Sequence, residues 1–370
     1  MKTYILKRLL LMIPTLLGIT MVTYFIVRLA PGDPIEAMIR NQSGNIDPKA
    51  MKESAQKIRD RLGLIEYHFA RDRLFGPEKT WTEKPAGALF WVTDAADKVA
   101  SAAVGYVQWF SRLCVGNFGE SIKYRTSGGS RNPLLLMAER IPVTATLNVI
   151  AETLIFLIAI PVGFAAARYQ GKWFDRASSF VLLALWSIPA ILAATLLIGY
   201  LGLGGRGLEW FPIGNLHSFG YEKLPLGAYL KDLLWHAALP VVCLVYGGLA
   251  YLAKMGRASL LENLRADYVR TARAKGLPEE RVVYHHALRN SLLPMITAMV
   301  LAIPGLIGGS VIVEYIFSIQ GTGLLLVDAA KAYDLALIMA ETLLYGVLTL
   351  VFLLIGDVLY AWADPRVRYE

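Results

Sequence analysis

Apolar residues in this chain come in long, nearly unbroken runs, not at the period of two or three to four that a half-buried strand or helix of a soluble domain would show. Six such runs stand out, roughly Leu9 to Leu29, Leu147 to Ala167, Phe180 to Leu201, Leu233 to Leu252, Leu293 to Val313 and Ile338 to Trp362. Each approaches the length of about 20 mostly apolar residues that an α-helix needs to cross a bilayer. The predicted fold class is therefore an all-α polytopic membrane protein with six transmembrane helices. Composition agrees, since 55% of the 370 residues are hydrophobic, too many for a soluble domain of this size. The first run is longer than a signal-peptide core and has no small-x-small cleavage pattern before Pro31, so it reads as a retained span.

Charge then orients the spans. The chain carries 37 Lys and Arg against 29 Asp and Glu, a net charge of +8. Outside the long 31–143 segment these cations gather in every other connection, at Lys2, Lys7 and Arg8, then Arg168, Lys172 and Arg176, then Lys254 to Arg289, then Arg366 and Arg368, while the short connections between carry only Arg206, Lys223, Lys231 and Lys331. Lys and Arg mark cytoplasmic loops, so both termini are expected in the cytoplasm. The expected organisation is a first span at 1–30, an extracytoplasmic segment at 31–143, and a five-helix membrane core at 144–370 that includes a cytoplasmic loop at 254–292. Because the basic residues are divided among membrane-flanking loops and form no single stripe, nucleic acid is not an expected partner. Lipid is. Cys114 and Cys243 are predicted at different depths, which gives neither a disulfide framework nor a metal site.

The extracytoplasmic segment has order of its own. APGDP at Ala30 to Pro34 reads as a turn, and Asp47 with Pro48 reads as the start of an amphipathic helix stopping at Gly63. An aromatic cluster from Tyr67 to Phe110 supplies enough apolar material for a small folded cap. GNFGES at Gly116 to Ser121 is a turn, and TSGGS at Thr126 to Ser130 is the most flexible stretch.

Candidate chemistry is mechanical. From Asp267 to Pro294 the chain reads DYVRTARAKGLPEERVVYHHALRNSLLP, a basic, helix-forming segment broken once. Gly276 suits the left-handed position after a helix, Pro278 can open the next one, and Glu279 with Glu280 complements its positive end. Helix, tight turn, helix is the expected form. A spacing of four and three places Tyr268, Ala272 and Lys275 on one side, with Arg270 and Arg273 turned elsewhere. On the residues alone, this helix either contacts another protein or rests on lipid headgroups. Within or near the spans lie Glu152, His236, Glu314, Glu341 and Asp357, and ionisable groups in a membrane are functional candidates. Glu152, with the helix-bending set Ser187, Pro189, Gly308 and Gly309, is the candidate for lining or gating a pathway. No GxxxxGK[ST], HExxH or GxSxG pattern occurs, so neither ATP hydrolysis nor a metal or nucleophile site is expected of this chain.

Several pieces, in order, carry a family resemblance. RLLLMIPTLLGI, APGDP, GNFGESI, RIPVTATLN, GKWFDRASS, HAALPV, VIVEYIFSIQGTGLL and DVLYAWADPRVR resemble the B-type permease of ABC peptide importers. The 267–294 segment looks like the EAA loop of those permeases, in its TARAKGL, HALRN and LLP form. Two features depart from the pattern: a longer stretch from about Phe69 to Ala103, and Gln320 where proline is usual. The FSIQG form is similar to the branch associated with microcin C and oligopeptide uptake. The resemblance implies a type I importer fold. It also implies an ATPase-coupling role for Tyr268, Arg270, Thr271, Ala272, Arg273, Lys275, Gly276, Leu277 and Glu279, and a pathway for di- or oligopeptides. The implied partners are a second, homologous permease subunit, two ATPase subunits that hold ATP and magnesium, and an extracytoplasmic substrate-binding protein. The competing reading is a secondary transporter or channel for small polar solutes, which would need midplane charged or unwound sites and often an inverted repeat.

Overall fold

The computed structural model describes residues 2–29, 53 and 88–363, and among these the ordered structure is helical. Eleven helices organise it: α1 Lys2–Leu29, α2 Ala88–Cys114, α3 Pro133–Arg168, α4 Trp173–Trp186, α5 Ala190–Leu201, α6 Leu226–Leu264, α7 Asp267–Ala274, α8 Leu293–Gly308, α9 Val311–Ile316, α10 Thr322–Lys331 and α11 Leu335–Ala363. Short helical turns and a π-helical stretch at Val282–Ala287 join α7 to α8. The expected turn at APGDP and helix at Asp47 to Gly63 lie outside the described residues, as does the stretch from Phe69 up to Gly87.

Five helical spans are long and apolar enough to cross a membrane: Tyr4–Leu29, Pro133–Arg168, Leu226–Leu264, Glu279–Ile316 and Leu335–Val358. They contain the first, second, fourth and fifth expected runs, and most of the sixth. Most begin earlier or end later than the apolar runs do, because a helix carries on past the hydrocarbon wherever its backbone bonds are satisfied. α3 in particular begins at Pro133, inside the residues expected to be extracytoplasmic. The third expected span differs more. α4 and α5 meet at an angle of 88°, so Phe180 to Leu201 is a broken pair, and the total is six only when that pair counts as one span.

The break has a local cause. Pro189 lacks an N–H and disfavours helical geometry at Ile188, and Ser187 Oγ turns back to donate to the Ala184 carbonyl at 2.7 Å. The bend frees a carbonyl at Ile188, which accepts from the Tyr246 hydroxyl at 2.8 Å. Other prolines, at positions 14, 161, 240 and 304, sit inside continuous helices.

Two compact units are distinguishable, one from residues 1–8, 138–327 and 348–370, the other from 9–137 and 328–347. In the first, Leu147 and Ala151 of α3, Ala194 of α5, Leu233 and Ala237 of α6 and Val313 of α9 form one apolar core. Polar pairs fix the ends of its helices. Asp175, at the start of α4, receives Arg257 of α6 in two hydrogen bonds of 2.6 and 2.9 Å and the Gly171 N–H at 2.9 Å. Asp357 accepts from the Tyr4 hydroxyl and pairs with Arg8, each at 2.9 Å, so it ties the first helix to the last. In the second unit, α2 packs on α1 through Tyr106, whose ring lies 5.6 Å from that of Tyr24 and whose hydroxyl is 3.0 Å from that of Thr20. There too Asp334 caps α11 through the Leu337 N–H at 3.3 Å and binds the Ser121 hydroxyl and Ile122 N–H.

A deeply buried polar junction of the first unit surrounds Glu314, which is fully buried. Its carboxyl accepts from the Ser310 N–H and the Thr144 hydroxyl, each at 3.1 Å, and from the Leu324 N–H at 3.2 Å. Thr144 in turn accepts from the Thr322 N–H at 2.8 Å, and the Thr322 hydroxyl donates to the Ile307 carbonyl at 2.8 Å. One side chain thus collects the loose backbone ends of α8, α9 and α10 onto α3. Glycine is required around it. Gly309 has φ of +82°, and a Cβ there would lie 2.6 Å from the Gly323 nitrogen.

Removing this carboxyl strands buried donors, each worth about 1–3 kcal/mol. Glu314→Ala is expected to lower the thermal-unfolding midpoint of the detergent-purified permease by about 5 °C or more, and Glu314→Gln, which keeps one acceptor oxygen, by less. An unchanged midpoint in the alanine variant would show that the junction is held by packing alone.

Candidate coupling loop and pathway groove

The segment from Asp267 takes the expected form. α7 runs to Ala274, Lys275 caps it, Gly276 adopts φ of +77°, and Pro278 precedes the next helical turn at Glu279. A positive φ there is what lets the chain reverse within three residues.

The face assignment needs correction. Ala272 does not share an outward side with Tyr268 and Lys275: it is buried, together with Val269. Both pack with Leu260 of α6, Ala167 at the end of α3, and Val282 and Ala287 of the stretch that follows, and Leu277 packs partly against the same cluster. Val269 and Ala272, three apart, define the inward stripe of α7, and a spacing of three and four cannot by itself say which of several stripes is the buried one. Left outside are Tyr268, Arg270, Thr271, Arg273 and Lys275, with Gly276 and Glu279 at the turn.

Two of these also brace the turn from within. Arg273 donates to Glu279 through two nitrogens, at 3.0 and 2.7 Å, and reaches the Leu264 carbonyl at 3.4 Å. The pair is about half exposed, so its energy is screened and small. Its effect is angular: a forked contact fixes the direction in which the chain leaves the turn. The Tyr268 hydroxyl donates to Asn263 Oδ1 at 2.6 Å and orients the entry in the same way. Arg270 meets only Asp267, at 3.4 Å on an open surface. α7 is therefore a short basic helix seated on a small apolar base shared with α6 and with Val282–Ala287, its entry held by the Tyr268–Asn263 hydrogen bond and its exit by the Arg273–Glu279 fork.

The pathway candidates separate into three places. Ser187 and Pro189 form the α4–α5 bend, pinned by Tyr246. Gly308 closes α8, and Gly309 belongs to the Glu314 junction, where its role is close packing. Glu152 lines an open groove of about 660 Å³. α3 contributes Glu152, Thr153, Phe156, Leu157, Ile160 and Pro161 to it, and α8 contributes Met299, Ala302, Ile303 and Leu306.

Of the other ionisable candidates, Glu314, Asp357 and His236 have partners in the fold. Glu314 and Asp357 are engaged as described above, and His236 Nδ1 lies 3.0 Å from the Asp232 carbonyl. Sequence reading missed the Asp175–Arg257 pair, although Asp175 stands in the GKWFDRASS motif. Its partner lies 82 residues away, and only folding shows which of many loop arginines it meets. No cluster of His, Cys, Asp and Glu able to hold a metal occurs among the described residues.

Residues 159–369 match the family model described as binding-protein-dependent transport system inner membrane component. Relatives align along their whole length. The oligopeptide transport system permease protein AppB of Bacillus subtilis is 35% identical over 100% of both chains. The di/tripeptide transport system permease protein DppB of Pseudomonas aeruginosa is 32% identical over 100% of both, and the inner membrane ABC transporter permease protein YejB of Escherichia coli O157:H7 is 31% identical over 100% of both. The chain belongs to the family of inner-membrane components of binding-protein-dependent transport systems.

Proposed function

We propose that this chain is one of two homologous membrane subunits of an ATP-driven importer for peptides, di- or oligopeptides by chemical class. The observation that carries the reading is α7, whose inner stripe is anchored on α6 while its basic face is exposed beside a turn braced by Arg273 and Glu279. The names of the full-length relatives, oligopeptide and di/tripeptide permeases, support the substrate class. Separate ATPase subunits hold ATP and magnesium, and this chain binds neither. Each ATPase receives a coupling helix, closes on ATP, and moves α7. That movement passes into α6 and α8, and the bent helices reopen the path toward an extracytoplasmic binding protein. The protein resides in the bacterial plasma membrane, the inner one where there are two, with both termini in the cytoplasm. The Lys and Arg of the short loops support that orientation.

Two experiments test the reading. In sealed cells, and in a Cys114→Ser background because the exposed native Cys114 would itself react, a membrane-impermeant thiol reagent is expected to leave Lys275→Cys unlabelled while a cysteine introduced at Phe219, on the opposite side in this topology, reacts. Labelling of Lys275→Cys without permeabilisation would overturn the orientation. A β-branched residue at Gly276 faces a left-handed backbone that costs about 1–2 kcal/mol, so Gly276→Val is expected to displace the turn. Peptide uptake and stimulation of the ATPases by loaded binding protein should then fall about tenfold or more, while membrane insertion and subunit assembly persist. Full coupling in that variant would remove the turn from the mechanism.

A further inference from the structure

Glu152 is an acid in an apolar groove with no compensating cation among the described residues. Along α3, the flanking cations Arg140 and Arg168 are 12 and 16 residues away, roughly 18 and 24 Å at 1.5 Å per residue. The facing wall offers none, since α8 from Leu293 to Gly308 has no ionisable residue. Its neighbours Thr153, Phe156, Met299 and Ile303 leave the carboxyl without a hydrogen bond or ion pair among the described residues. Glu314, the comparison within the same unit, is enclosed by donors. An intramembrane acid with no internal partner is costly to keep, and a partner that arrives and leaves removes the contradiction.

The groove itself says what that partner is. Its volume of about 660 Å³ lies in the range of small-ligand sites, roughly 300–1,000 Å³. Its walls are aliphatic and aromatic, and its one charged group is negative. The complement is a molecule with apolar substituents and one positive end, which describes a short peptide with a free amino terminus. The groove is also unfilled by this chain, for Leu157 and Met299 on its two walls are 67% and 50% exposed.

We infer that Glu152 is the cation-recognising contact of the translocation path, accepting the α-ammonium group of a peptide as it passes between α3 and α8. This rests on the peptide-permease reading given above and adds to it a specific contact and a charge preference. Glu152 is not among the residues that seat α7, so the variant complex is expected to keep its coupling helix and its ATPases.

The test uses the whole transporter, with both permease subunits, the ATPases and the binding protein, in proteoliposomes. Uptake of tri-alanine and of N-acetyl-tri-alanine is measured for the wild type, Glu152→Gln and Glu152→Asp, and each variant is compared with the wild type for the same peptide. That ratio cancels any preference of the binding protein. The expected result is a fall of about tenfold in tri-alanine uptake for Glu152→Gln, an unchanged rate for N-acetyl-tri-alanine, and retention of most activity in Glu152→Asp. Equal losses for both peptides, with weakened recovery of the second permease subunit on purification, would overturn the inference and make Glu152 a contact between subunits. Unchanged uptake of both would overturn it in favour of a lipid-facing acid. A wild-type complex that imports neither peptide would instead overturn the substrate class, and with it the ligand assigned to Glu152.

Discussion

In hydrocarbon, a backbone N–H or carbonyl that leaves its helix has no water to turn to, and the departures from straight helices in this protein are organised by that constraint. At the α4–α5 bend, the freed Ile188 carbonyl takes the Tyr246 hydroxyl. Where α8 gives way to α9 and α10, Glu314 gathers two backbone amides and the Thr144 hydroxyl around a loop too tight for side chains at Gly309. At the start of α11 the acid is Asp334, and at the start of α4 it is Asp175. Four irregular places are thus closed by side chains arriving from elsewhere in the same unit or from their own helix, so each bend is a junction with defined geometry.

The same logic separates two kinds of intramembrane acid. Glu314 and Asp357 are bound by several partners each and work as fasteners. Glu152 faces a groove and is bound by none among the described residues. Ionisable residues inside a span are functional candidates as a class, but a carboxyl that is fully saturated has no capacity left for a ligand. Hydrogen-bond saturation distinguishes the fastener from the receptor more sharply than depth in the membrane does.

α7 joins softness of sequence to stiffness of setting. Eight residues are far too few for an isolated helix to persist in water, so its stability comes from the base formed by Val269, Ala272, Leu260, Val282 and Ala287. The apolar base holds it, Gly276 turns it, and the Arg273–Glu279 fork sets the exit angle. A helix made stable only by its seat moves with that seat, and this is the property a coupling element between a motor and membrane helices requires.

Much of the architecture was legible in the residues. Runs of about 20 apolar residues place spans because the bilayer thickness is fixed, and Gly276 followed by Pro278 places the turn because few residues accept those backbone angles. The family was readable from motifs in order along the chain. What the sequence could not decide was direction and partnership. Spacing grouped Ala272 with Tyr268 and Lys275, yet Ala272 is buried and they are exposed, because a stripe on a helix takes its meaning from the surface it meets. Pro189 marked a possible kink, yet the angle of 88° depends on Tyr246 and on the packing of α4 and α5. Asp175 with Arg257 and Glu314 with Thr144 are 82 and 170 residues apart, separations over which no local rule operates. Local physics set where the chain can cross and turn, and tertiary structure decided which polar groups find one another and which one is left facing the groove.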